Sequence, residues 1–236
     1  MSIGLWAVFT VVAAGGQTLR NAMQRELTAT LGTVGATHVR FLFGLPFALL
    51  FLTVILAVTG EKFPPLSANM MAWTIVGAGA QIAATAMLLA AMKQKSFVVT
   101  TALIKIEPVW VALFGLVFLG DHLSLALAAA IMIATTGVMI LSWPKAALTG
   151  GGLGRGAMFG IASGMMFGVS AIGYRGGILG VKALGEDHFV VTATSVLVLG
   201  LLMQVALLLV YLLVFDRKTL AGIITGLWVD AILYIG

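Results

Sequence analysis

Runs of roughly twenty apolar residues recur along the whole chain, separated by brief clusters of charge, proline and glycine. Each run is long enough to cross the ~30 Å hydrocarbon core of a bilayer as a helix. The ~10-residue alternating strands of a membrane β-barrel are not seen. Eight runs stand out, at 4–24, 34–58, 69–92, 96–119, 123–142, 156–175, 189–214 and 220–236. The pattern predicts an all-α polytopic membrane protein with eight transmembrane helices. The breaks are short. Glu61-Lys62-Phe63-Pro64-Pro65 parts runs two and three, Lys93-Gln94-Lys95 parts three and four, and Gly120-Asp121 parts four and five. The carboxylate of Asp121 is placed to cap the following helix.

The longest polar and glycine-rich stretch between runs, Trp143-Pro144-Lys145 to Gly154-Arg155, is the best internal boundary. It divides the chain into 1–145, a connecting loop at 146–155, and 156–236. Five runs precede it, and three follow with a weak echo of the start: a glycine-rich helix ending in basic residues, then a long apolar one. Five is odd, so a second copy would enter the membrane inverted, as in many transporters. The last run, 220–236, is at the lower limit for a span and has no polar flank. It reads as a second repeat cut short. In the sixth run Gly156, Gly160, Gly164 and Gly168 recur every four residues. They form a stripe for close helix packing, with a sliding surface as the alternative.

Composition strengthens the membrane reading. Hydrophobic residues make up 61% and charged residues 9% of 236 positions, against about 25% charged in a soluble domain. The net charge of +5 is spread over short connections, so nucleic-acid binding is not expected. With no cysteine, disulfides and thiolate metal sites are excluded. The N-terminus lacks the basic region of a signal peptide. With the N-terminus inside, the outer loops would carry eight basic residues and the inner loops three. The positive-inside rule therefore favours an external N-terminus.

The candidate chemistry lies where charge interrupts the fourth run, in Ala102-Leu103-Ile104-Lys105-Ile106-Glu107-Pro108-Val109-Trp110. Each charge at a helix centre costs about 2.5–3.5 kcal/mol on insertion scales. Lys105 and Glu107, two apart, face opposite sides of a helix and cannot pair with each other. Pro108 cannot donate to the Ile104 carbonyl and frees it, which is tolerated where backbone meets protein or a cavity. Two readings compete. One is structural pairing, Lys105 with Asp230 or Glu107 with Arg40. The other is a water-accessible pathway in which Glu107 and Lys105 bind substrate or a proton, Arg40 contacts an anion, and Trp110 and Gln81 wall the cavity. Arg40 and His38 open the second run near the interface, where snorkelling is the plain alternative. Gln17, Thr18, Arg20 and Asn21 gather near the end of the first run, and Gln81, Gln204 and Asp230 lie deeper. A lone membrane Gln is more often a helix–helix hydrogen bond. The three histidines have no metal-ligand spacing, and no nucleophile elbow or phosphate loop appears. Neither enzyme activity nor a cofactor is expected. The trio Glu186-Asp187-His188, the one cluster a lipid-acting enzyme could use, reads as a solvated loop.

The stretch from Ala102 through Leu141 resembles the EamA-type drug/metabolite transporter family. The resemblance rests on Pro108-Val109, Leu119-Gly120-Asp121, where the family usually has Leu-Gly-Glu, and Gly137-Val138, with Arg40-Phe41 opening the second run. It covers 4–142 well and 156–236 more loosely. It implies two inverted five-helix repeats, with the last two helices missing here, and a central cavity. It further implies secondary active export or uptake of a small metabolite, such as an amino acid or drug-like compound, across a bacterial inner membrane. It also suggests an internal N-terminus, against the charge count. The expected partners are the small-molecule substrate and the lipid bilayer, with a coupling proton and a second copy of the chain as further candidates. The alternative is a non-transporting membrane scaffold with structural intramembrane ion pairs.

Overall fold

A computed structural model describes residues 3–94, 97–122, 124–142, 155–181 and 189–235. The described residues are all helical apart from the connections. The elements are α1 (Ile3–Thr59), α2 (Ala68–Gln94), α3 (Phe97–Ile104), α4 (Glu107–Leu119), α5 (Leu125–Ser142), α6 (Arg155–Leu179), α7 (Phe189–Phe215) and α8 (Arg217–Ile235). Among the described residues, four stretches are long and apolar enough to cross a membrane: Ala7–Thr59 within α1, then α2, α6 and α7. The protein is therefore read as membrane-embedded. Its surface agrees, since Val58 is 81% and Phe47 72% exposed, as side chains facing lipid would be.

The first two expected helices are not parted by an open loop. α1 continues helically to residue 31 and turns at Gly32, whose φ of 69° and ψ of −179° lie in territory only glycine occupies readily. The residues expected to form the connection extend the first limb instead. Their hydroxyls are satisfied locally, Thr28 donating to the Gln24 carbonyl at 2.8 Å and Thr30 to that of Leu27 at 3.1 Å. The limbs 3–31 and 33–59 face each other across an apolar cavity of about 500 Å³, with Leu19, Met23 and Leu27 on one wall and Val39 and Phe43 on the other.

The expected single helix at 96–119 is also corrected. It is broken at Lys105-Ile106 into α3, of 8 residues, and α4, of 13. Pro108 is the physical reason: it lacks the donor an unbroken helix needs, but it fits the first turn of a new one, where it stands. α4 ends at Gly120, whose φ of 69° and ψ of 28° form a left-handed cap. The Asp121 amide then donates back to the Gly115 carbonyl at 3.1 Å, closing the turn. The expected Asp121 cap on α5 is not formed. Ser124 supplies it, its hydroxyl accepting from the Leu127 amide at 3.2 Å. Asp121 is drawn away by Arg175.

The tightest packing lies between α2 and α6. A methyl at Gly173 would stand 2.6 Å from the Gly77 backbone, and one at Gly177 2.9 Å from the Thr74 hydroxyl. The Ser163 hydroxyl donates to the Ala84 carbonyl at 2.7 Å, tying the same helices. On another face of α6 the predicted glycine stripe meets the broken segment. A methyl at Gly160 would stand 3.1 Å from Leu103, one at Gly164 3.0 Å from the Ile104 carbonyl oxygen, and one at Gly168 2.6 Å from the Trp110 Cβ. The stripe is thus a packing surface, and it seats the carbonyl that Pro108 frees.

Candidate functional site

The helix break positions the site. It leaves Lys105 exposed on the link and sets Glu107, half-buried, on the first turn of α4. Both line a polar cavity of about 270 Å³ together with Arg40 from the second limb of α1 and Gln81 from α2. Four of the five predicted site residues therefore meet in one place, although 67 positions separate Arg40 from Glu107. Gln17, Thr18, Arg20 and Asn21, from the first limb of α1, complete the wall. Trp110 does not line this cavity. It stacks on Phe114, centroids 5.6 Å apart, and packs against Gly168. Its indole N–H is buried without a hydrogen-bond partner among the described residues.

Arg40 is anchored rather than snorkelling. Its guanidinium donates to the hydroxyl of buried Thr85 at 3.1 Å and lies 5.4 Å from the Phe41 ring centroid. Gln81 belongs to a second network deeper in the bundle. Its Oε1 accepts from the Tyr174 hydroxyl at 2.8 Å and from the Gln204 amide at 2.8 Å, and that amide also donates to the Tyr174 oxygen at 2.9 Å. Gln204 is fully buried and serves as the interhelical bond expected of it. Gln81 does so with its oxygen while lining the cavity. His38 is buried, its Nδ1 without a partner among the described residues.

Of the structural pairings expected of the intramembrane charges, Glu107 with Arg40 is not formed. Among the described residues the ion pair present is Arg175–Asp121. Glu107 and Arg40 line the same cavity without reaching ion-pair distance. The side chain of Asp230, the other suggested partner, lies outside the described residues, as does the Glu186-Asp187-His188 cluster.

Glu107 also borders a second cavity of about 650 Å³, which it shares with Pro108, Val111 and Ile131, with Asp121 at the α4–α5 connection and with Arg175 on α6. One carboxylate thus fronts two chambers. Near the second, the Arg175 guanidinium holds the Asp121 carboxyl below the usual carboxylate range by hydrogen bonding. The residues not foreseen are Tyr174, which orients Gln81, and Thr101, whose buried hydroxyl lines the polar cavity without a partner among the described residues. Thr101 carries no charge to mark it within an apolar run. Tyr174 is masked by Arg175, which reads as a helix-ending cation.

Fold and site together define a helical, membrane-embedded protein with a polar interior cavity. No family model, curated protein or solved structure matches this chain. Functional assignment therefore rests on the geometry of the cavity and on the motif residues around Pro108.

Proposed function

We propose that this chain is a secondary active transporter of the EamA type that moves a small metabolite by alternating access through the polar cavity. One observation carries the reading. Arg40, Gln81, Lys105 and Glu107, from separate parts of the chain, converge on one cavity without forming ion pairs among the described residues. Charges buried in lipid without partners are costly and mark substrate or ion pathways. In this proposal Lys105 and Arg40 hold the substrate and Glu107 carries the coupling proton. The interrupted helix also supports it, since broken helices line the sites of many transporters. The two-repeat architecture, an inner-membrane location and association with a second copy belong to the same proposal.

The absence of native cysteine makes a direct test available. Val111 stands on α4 one turn beyond Glu107 and lines the larger cavity. In Val111→Cys protein reconstituted in vesicles, a membrane-impermeant thiol reagent is expected to label this position. Exposed Val117 on the same helix, as Val117→Cys, is expected to resist the reagent because it faces lipid. If Val111→Cys and, in the polar cavity, Thr101→Cys both stay unlabelled from both sides in folded protein, the chambers beside Glu107 are dry and the scaffold reading replaces transport.

A further inference from the structure

The donors and acceptors of the polar cavity are unequal in number. Arg20, Arg40 and Lys105 bring three cations to it and Glu107 the one carboxylate. The wall is therefore net positive whether Glu107 is charged or neutral. Two of the neutral groups, Gln81 and Asn21, lean the same way. Gln81 has its oxygen engaged by Tyr174 and Gln204, which leaves its amide N–H groups. Asn21 likewise has its oxygen on the Arg20 guanidinium at 3.5 Å. The Thr101 hydroxyl is buried and unpartnered among the described residues. Arg40 has five N–H donors to place and sets one of them on Thr85. Cations removed from bulk water without a counter-charge are unfavourable, and a planar guanidinium fork matches a carboxylate or phosphate in two parallel hydrogen bonds.

Resting on the transport reading, we infer that the ligand of this cavity is a small organic anion, held through a carboxylate or phosphate group by Arg40 and Lys105 with Arg20 at the edge. The volume limits its size. About 270 Å³ equals roughly nine waters at about 30 Å³ each and falls below the ~300–1,000 Å³ of drug-sized sites. Glu107, the one carboxylate of the wall, disfavours a second acidic group beside it and accommodates an ammonium or hydroxyl there.

Charged thiol reagents read this directly. Thr101→Cys protein, with Thr18→Cys as a second cavity position and Leu66→Cys on the exposed α1–α2 connection as reference, is reconstituted in uncharged phosphatidylcholine vesicles. Rates are measured with an anionic and a cationic methanethiosulfonate. Like-signed clefts concentrate opposite ions by about tenfold or more. The anionic-to-cationic rate ratio at 101 or 18 is therefore expected to exceed that at 66 by about tenfold, and to fall toward the reference in Arg40→Gln and Lys105→Gln. Lactate or inorganic phosphate is expected to slow the anionic reagent at 101 and not at 66. A ratio equal to or below the reference at both cavity positions, with Val111→Cys still labelled, overturns the anion assignment and leaves the transport reading standing. A normal ratio with no protection by either anion overturns the binding site. Protection appearing only when anionic lipid replaces phosphatidylcholine assigns the site to a headgroup instead of a soluble metabolite and overturns the inference. Failure of both reagents at both cavity positions and at Val111→Cys overturns inference and transport reading together.

Discussion

At the residue scale, two side chains show how partners set a role. Asp121 follows a leucine and a glycine at the end of α4, a position that suggests a helix cap, yet its carboxylate is bound by both terminal nitrogens of Arg175. A carboxyl held below its unfolded value of about 3.9 contributes stability that is present above that value and lost as pH falls through the folded value. Thermal denaturation in detergent is expected to show Asp121→Asn slightly less stable at neutral pH, with the two proteins converging below about pH 4. The pair is largely exposed, so the difference is small. A gap that widens on acidification would contradict this pairing. Tyr174 is the second case. Tyr174→Phe removes two interhelical hydrogen bonds at about 0.6 kcal/mol each on average in membranes. The direct Gln204–Gln81 bond remains, so a loss of about 1 kcal/mol is expected from equilibrium unfolding. A loss several times larger would show that the hydroxyl supports more than this network.

At the element scale, the contact of α2 with α6 is made possible by what is absent from both. Gly77 and Gly173 bring the two backbones together, and an alanine at 173 has nowhere to go except by separating the helices. Gly173→Ala is expected to cost about 1–3 kcal/mol, the usual range for overpacking, measured as a fall in melting temperature in detergent. Gly79→Ala on the same helix pair, with open space around it, is the control and is expected to be neutral or slightly stabilising. Equal losses at both positions would mean that the close approach at Gly173 is not what is being measured, since helix propensity alone favours alanine. Legibility in the sequence follows the same line. Helices α2, α6 and α7 were readable because hydropathy reports burial in lipid directly, and Pro108 marked where a helix must yield. Gly32 was not readable as a hinge, because the polar residues before it look like a loop and their hydroxyls turn inward to helical carbonyls instead. The convergence of Arg40 with Glu107 was suspected only from cost: an unpaired charge in an apolar run must have a reason, but the chain does not say which charges share it. Tyr174 and Thr101 carried no such signal.

At the scale of the whole molecule, the apolar exterior and the polar interior invert the arrangement of a water-soluble protein. Phe47, mid-way along the second limb of α1 and 72% exposed, tests which solvent surrounds it. In water Phe47→Arg would be harmless or helpful. In a bilayer an arginine near the helix centre costs about 2.5–3.5 kcal/mol, so the variant is expected to insert poorly, measured as the membrane-integrated fraction after expression. Full integration with unchanged stability would argue that this face does not meet lipid.

The turn at Gly32 carries one more consequence, a matter of handedness. A methyl placed there on the L side would touch nothing within 4 Å, so volume is no barrier. The torsions are the barrier: φ of 69° with ψ of −179° is the mirror image of an extended, polyproline-like geometry. An L-alanine must strain to adopt it, at about 1–3 kcal/mol, whereas a D-alanine finds it as natural as its enantiomer finds an extended chain. The two limbs of α1 are thus joined at a point where genetically encoded chemistry offers one unstrained residue, and the angle between Arg20 and Arg40 across their cavity is set by an amino acid chosen for having no hand at all.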